Sequence, residues 1–355
     1  MSSLKKEKLK KISHKLLGQG GFSRLITRLI KVRGHFSSLF AFSRLTARIY
    51  YSIFDSSFIT EQIKILKGIK RFNHSVDNYS LLRRNTHKLE KGMTMIPRRS
   101  SFAADYIVET VCIYKSIIDS KKNEYNLNWT ESILDEYFSL VSKENDFIQK
   151  AFEIYSNIER KEYAEKKVPL IRSSVPPLDF EDLLVACKFR KSVRWYKDKP
   201  VEKYKIEQAI SLAMTAPSAC NRQPFKFYYT DNHEVVLKVS NLAMGTSGFR
   251  DNIQGLFIVV GDTSYFNMAH DRHVIYIDSS LASMQLMLAL DSLGLASCPI
   301  NWPEIDRNNE KISKILGLSD TERTVMLIST GYERSGVKVP YSDKKEVAEV
   351  LKVVE

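Results

Sequence analysis

Apolar residues recur at helical spacing through most of the first half of the chain. In the stretch 4–55, Leu25, Ile26, Leu29 and Ile30 fall on one stripe, with Arg24, Arg28 and Lys31 between them, as in a basic amphipathic helix. Residues 60–92 continue the pattern and end in H-K-L-E-K-G, where Gly92 suits the left-handed position after a helix. Stretches 102–122 and 130–165 read as two longer helices, the second with Ile133, Leu134, Tyr137, Phe138 and Leu140 on one face. Val175-Pro176-Pro177 breaks the pattern, because proline lacks a backbone donor and holds the preceding residue extended. Beyond it helix and strand alternate. Helices are expected at 203–214, 274–293 and 305–316, the last two closed by Gly294 and Gly317. Strands are expected at Phe225–Tyr229, Leu256–Val260, Ser297–Asn301 and Arg323–Thr330. The pattern thus predicts a mostly α-helical region over 1–175, then an α+β domain over 176–355 built on a mixed sheet flanked by helices.

Charge separates the two regions further. Of the net +13, residues 1–100 carry +17, with 22 basic and 5 acidic side chains, while the rest carries −4. The basic helices of residues 1–55 have two readings: docking on an anionic membrane surface, or a solvated extension packed on protein. Nucleic acid is not expected as a partner, since no recognition motif accompanies the charge. Cys112, Cys187, Cys220 and Cys298 lie far apart, which speaks against a disulfide framework or a thiolate zinc site. Reduced thiols suit a cytoplasmic protein, with a peripheral place at the inner face of the membrane left open. No uncharged apolar run approaches the roughly 18–20 residues of a membrane span. The lysine-rich start lacks the apolar core of a secretory signal, because Gly18, Gln19, Gly20 and Gly21 follow Leu16-Leu17, so it reads as retained. His270, Asp271 and His273 have spacing a metal could use, but no further ligand is suggested and no metal is expected.

Four motifs in the second region could carry chemistry. In F-R-K-S-V-R-W-Y (189–196), an extended backbone would send Arg190, Ser192 and Arg194 to one side, where two guanidinium forks and a hydroxyl suit a phosphate. In T-A-P-S-A-C-N-R-Q-P-F (215–225), Pro217 and Pro224 stiffen a loop whose Ser218, Asn221 and Gln223 could read a flat hydrogen-bonding heterocycle. The others are G-L-A-S-C-P-I-N-W (294–302) and V-P-Y-S-D-K-K (339–345), which carries Lys344 and Lys345. Each alone has a plain structural explanation. Together, and in this order, they are fairly specific.

Residues 178–355 resemble the nitroreductase family of flavin mononucleotide (FMN) enzymes, on R-x-S-x-R plus an aromatic, A-P-S-x-x-N-x-Q-P-aromatic, the G-L-x-S-C-x-I strand and the basic carboxyl-terminal segment. The resemblance implies an α+β homodimer with FMN at its interface, reduced by NAD(P)H and reoxidised by a small-molecule acceptor such as a nitroaromatic or a quinone. It implies that Arg190, Lys191, Ser192 and Arg194 hold the phosphate and ribityl side or the pyrimidine edge. Pro217, Ser218 and Asn221 would approach from the second subunit, with Gln223 supporting their loop. Pro299, Ile300, Asn301 and Trp302 would run beside flavin N5, and Lys344 would pair with the phosphate. No side chain is needed as a catalytic acid, base or nucleophile, since the cofactor carries the electrons and backbone donors near Asn301 stabilise charge on the ring. Three positions depart from the common pattern: Lys191 for arginine or histidine, Phe225 for tryptophan and Lys344 for arginine. A further flavin contact is expected somewhere in 245–252. R-R-N-T-H-K-L-E-K-G-M (83–93) is similar to the helical extension of long nitroreductase-like proteins that accompany surface-polysaccharide synthesis, which keeps open a scaffold role in an envelope polysaccharide pathway.

Overall fold

The computed structural model describes Arg28, Ser37 and residues 40–354, apart from 55–56, 76–77, 121–124, 161–162 and 173–174. The amphipathic stretch around Leu25, Ile26, Leu29 and Ile30 lies outside the described residues. Two compact units divide between Gln62 and Ile63. The first contains α1 (Arg44–Phe54) and the start of α2 (Ser57–His74). Ser43 and Thr46 start α1 reciprocally: the Thr46 amide donates to Ser43 Oγ and the Ser43 amide to Thr46 Oγ1. Leu45, Ile49 and Ile53 form an exposed apolar stripe on α1, flanked by Arg44 and Arg48.

The second unit opens with a helical cluster of α3 (Tyr79–Met93), α4 (Ile107–Asp119), α5 (Asn128–Leu140) and α6 (Asp146–Ser156). Where the pattern reads one helix over 60–92, the structure has two, because Asn78 starts a new one. Its Oδ1 accepts from the Leu81 amide at 2.9 Å and its Nδ2 donates to the Phe72 carbonyl at 2.7 Å. Asn145 splits the 130–165 stretch in the same way, its Oδ1 accepting from the amides of Phe147 and Ile148. Leu82, Leu89, Val111, Ile133, Leu134, Tyr137 and Ile148 fill the core between these helices. Gly92 corrects its sequence reading. It lies inside α3 without a positive φ, and a Cβ there would run into the Phe102 ring, so its role is close packing.

After an exposed segment around Pro176 and Pro177 come α7 (Phe180–Phe189) and α8 (Lys203–Ala213). They are followed by β1 (Phe225–Thr230), α9 (His233–Ser240), β2 (Gly255–Asp262), α10 (Val274–Ser292) and β3 (Ala296–Asn301). The last elements are α11 (Asp306–Leu316), β4 (Glu322–Gly331) and the short α12 (Val347–Val350). The strands form one sheet in the order β1-β2-β4-β3, every neighbour antiparallel. The architecture is α+β, and among the described residues the parallel pairing is confined to the bridge Ser192↔Ser297.

Helices cover both faces of the sheet. Phe257, Val259 and Ile328 pack against α8 and α10, while Leu256, Ile258, Val260 and Leu327 face α9 and α11. Every residue of β2 is consequently buried, which explains its unbroken apolar run. Gly294 and Gly317 stand at φ 73° and 65° just past α10 and α11, as their positions in the pattern predict.

Within the stretch Ala269–Ser292 the chain is long and apolar enough to cross a membrane by length and composition, a feature the sequence reading does not anticipate. Half of it is buried in the domain, however, including the polar Asp278, Ser279 and Ser283. Its outer face leaves Ile277, Leu281 and Met284 exposed. Similarly, α7 buries none of its residues and leaves Phe180, Leu183, Val185 and Phe189 in the open.

Candidate functional site

The basic motif leaves α7 at Arg190 and turns extended, bridging to β3 at Ser192↔Ser297 with the Val193 amide donating to the Ser297 carbonyl at 3.0 Å. Further along, Tyr196 pairs with Glu333, and the Lys197 amide reaches the Tyr332 carbonyl at 2.7 Å. The motif is thus fastened to the end of the sheet. Close to the motif on β3 is Cys298, within electrostatic reach of Arg190 and Arg194. Burial pushes its thiol up, opposed by Arg194, by a hydrogen bond from Ser192 and by Arg190. Arg190 also faces Asp291 at the end of α10. Burial raises that carboxyl to about 6, against the pull of Arg190 and with some help from Glu333.

Ser192 and Arg194 line a cavity of about 180 Å³ with Val337, Lys338, Val339 and Pro340 from the carboxyl-terminal segment. Lys191 Nζ lies 5.9 Å from the centre of the Tyr341 ring. The first motif and the segment after β4 therefore meet, as the sequence reading expects. Lys344 itself is exposed and donates to the Ser342 carbonyl at 2.6 Å, so the lysine that reaches the cavity within this chain is Lys338, which the sequence reading missed. On β3, Pro299 and Asn301 are the exposed positions, while Ile300 and Trp302 point into the core with Leu327.

Within the stretch 245–252, Asn252 and Phe249 meet the basic motif. Asn252 accepts from the Tyr196 amide at 2.5 Å and donates to the Tyr196 carbonyl at 3.1 Å, so its side chain acts as a strand partner for the basic motif. Nearby, Arg194 lies over Phe249 at 5.8 Å. Nothing in the local sequence marks Asn252, because its partner is 56 residues away.

The loop at 215–225 has its own support. Cys220, Asn221 and Gln223 hold positive φ values of 53°, 51° and 53°. Such left-handed non-glycine residues cost of order 1–3 kcal/mol each and persist only where the surroundings impose them. From within, Ser218 Oγ accepts from the Gln223 amide, and Gln223 Nε2 reaches the Met214 carbonyl. Gln223 does brace the loop, as expected. From α10, Asp278 accepts from the Ala219 amide at 3.0 Å. From α3, Arg83 donates Nε to the Asn221 carbonyl at 2.8 Å and Nη2 to Gln223 Oε1 at 3.0 Å. Pro217, Ser218 and Asn221 do not line the cavity beside the basic motif.

The family model for nitroreductases matches residues 187–247 and 249–332. The carboxyl-terminal half carries a nitroreductase-family domain. It is similar to a protein of Archaeoglobus fulgidus named NADH dehydrogenase/NAD(P)H nitroreductase, 27% identical over 154 residues, which are 43% of this chain and 87% of that one. An iodotyrosine deiodinase of Haliscomenobacter hydrossis is 22% identical over 197 residues, 46% of this chain and 85% of that one. Among solved structures, an FMN-dependent nitroreductase of Clostridium difficile aligns at 25% identity with a TM-score of 0.42, over 48% of this chain and 99% of that chain. The matched residues are those of an oxidoreductase family whose members use FMN with NAD(P)H and generally pair as homodimers. The helical cluster of α3 to α6 precedes the matched residues.

The donors present in the nitroreductase domain fit FMN. Arg190, Lys191 and Arg194 are half-buried cations next to the Ser192 hydroxyl, a set suited to a phosphate dianion. Cavities that hold such ligands run to about 300–1,000 Å³. The cavity at the basic motif measures about 180 Å³, smaller than that.

Proposed function

We propose that the domain binds FMN between two copies of the chain and uses it to pass electrons from NAD(P)H to a small oxidised acceptor. The observation that carries this reading is the cavity that Ser192 and Arg194 of the basic motif share with the carboxyl-terminal segment Val337–Pro340. When bound, FMN supplies the chemistry, accepting and releasing hydride at N5. The protein binds and orients: Arg190, Lys191 and Arg194 hold the phosphate, with Lys338 as the carboxyl-terminal lysine at the cavity, and Ser192 hydrogen-bonds the ribityl side or the pyrimidine edge. The exposed backbone of Pro299 and Asn301, with Ile300 between them, runs along the reacting edge, its peptide dipoles set for the charge that develops there. Pro217, Ser218 and Asn221 come from the second copy, braced by Gln223. In this reading residues 1–175 are the helical extension and 176–355 the flavin domain.

Pairing of two copies is supported by the bare apolar faces of α7 and α10 and by exposed Val347, Val350 and Leu351. A helix that buries nothing has little to hold it folded, because helices in proteins draw most of their stability from packing.

The test is an absorbance spectrum of the purified protein with the released chromophore identified, followed by anaerobic addition of NADH or NADPH. A yellow protein that bleaches supports the reading; a colourless one, or one whose colour persists, overturns it.

A second reading concerns location. The exposed stripe Phe42, Leu45, Ile49 and Ile53 beside Arg44 and Arg48 favours peripheral attachment to an anionic membrane surface from the cytoplasmic side, compatible with a scaffold in envelope polysaccharide assembly. Flotation with anionic but not with neutral vesicles, lost on deletion of residues 1–60, would support it.

A further inference from the structure

We propose that Arg83 is a positioning residue of the flavin site, a clamp by which the helical cluster holds the 215–225 loop in its working shape. The proposal rests on the flavin reading of that loop and assigns the helical cluster a part in it.

The geometry is specific. Every nitrogen of the Arg83 guanidinium has a partner: Nε donates to the Asn221 carbonyl, Nη2 to Gln223 Oε1 and Nη1 to the Tyr79 hydroxyl at 3.3 Å. Its plane also lies over Trp129 at 5.1 Å, so the side chain is fixed from the α5 side as well. The two loop acceptors belong to residues whose φ is positive, in a loop where no glycine relieves the conformation. An arginine fork bonds both acceptors in a fixed plane, a geometry that a lysine ammonium on its flexible stem does not impose.

Ser80, one turn before Arg83 on α3, donates to the Tyr265 carbonyl at 2.9 Å. That same carbonyl accepts from Arg222 Nη1 at 3.2 Å. Two residues of α3 therefore grip the region around the loop, while Asp278 holds it from α10. The loop is shaped by elements on both sides, and only the α10 side belongs to the matched family domain.

The experiment uses the full chain. Amide hydrogen exchange at residues 218–223 is compared among the wild type, Arg83→Gln, Arg83→Lys and Arg160→Gln, and FMN uptake is titrated for each. Arg160 is the control: it bonds Asp135 and Tyr155 elsewhere in the helical cluster. Support would be exchange at least tenfold faster at 218–223 in Arg83→Gln, with α5 still protected, FMN affinity at least tenfold weaker, partial rescue in Arg83→Lys and no change in Arg160→Gln. Unchanged loop exchange would overturn the clamp. Equal acceleration in α5 would show general loss of structure and overturn it too. Faster loop exchange with unchanged FMN affinity would overturn the flavin role. A wild type that takes up no FMN would overturn the reading of the site and the proposal with it, a failure seen before any variant is compared.

Discussion

Ser192 and Ser297 face each other in parallel register, one on the basic motif and the other on β3. This pairing makes R-K-S-V-R an added edge of the sheet. Its cations consequently stand on a fixed backbone, and the Asn252 side chain holds the next residues by bonding Tyr196 on both its amide and its carbonyl.

Replacing Arg190 and Arg194 together by alanine should weaken FMN binding strongly. Hydrogen bonds to charged groups contribute about 1.5–3 kcal/mol each, so the pair accounts for about 3–6 kcal/mol, a loss of roughly two to four powers of ten in affinity. Fluorescence titration of released and rebound flavin measures it. Affinity within a factor of three of the wild type would remove both arginines from the phosphate.

Asp291 predicts a pH dependence of stability. Burial raises its carboxyl from the ordinary 3.8 to about 6, with Arg190 lowering it and Glu333 raising it. The fold therefore favours the protonated acid. That contribution is complete below about pH 3.8 and is lost as pH rises through about 6. Asp291→Asn keeps the shape and cannot ionise, so it should gain on the wild type between pH 4 and pH 7.5. Urea midpoints at the two pH values decide this; a constant gap between the two proteins would count against it.

Legibility in the sequence followed the range of each interaction. Strands β1 to β4 and helices α8, α10 and α11 were readable to within a few residues, because their burial is written locally in the chain, as a helical period or, in β2, as an unbroken apolar run. The extended basic motif and its meeting with the carboxyl-terminal segment were readable too, one from its alternation and the other from resemblance. The breaks before α3 and α6 were missed, since Asn78 and Asn145 act as caps inside stretches whose apolar period runs on. Arg83, Asn252 and Lys338 were missed for another reason: their partners are distant in sequence, Gln223 lying 140 residues from Arg83. Nothing local distinguishes such a residue from a solvated one.

Gly92 should not tolerate alanine. On helix propensity alone the change would gain about 1 kcal/mol. The added methyl, however, meets the Phe102 ring, and Phe102 has little freedom: its ring packs edge-on to Tyr137 at 5.1 Å and its carbonyl accepts from the Tyr137 hydroxyl at 2.6 Å. Overpacking costs typically about 1–3 kcal/mol, so a net loss of up to about 2 kcal/mol is expected. A lower urea midpoint with an unchanged slope would show it, whereas a stabilised Gly92→Ala would mean that the ring yields.

Leu281→Arg separates folding from pairing. Leu281 stands on the outer face of α10 between Ile277 and Met284, exposed in the single chain, so a charge there should alter the stability of one copy by no more than about 0.5 kcal/mol. If two copies bury this face, the same charge is forced into an apolar contact without a partner, and the cost becomes several kcal/mol. Light scattering should then report a dimer for the wild type and a monomer for the variant at the same concentration. FMN affinity should fall at least tenfold in the variant, because Pro217, Ser218 and Asn221 of the second copy no longer complete the cavity. A variant that stays dimeric would place the contact elsewhere. A monomer that keeps full FMN affinity would show that one chain builds the whole site.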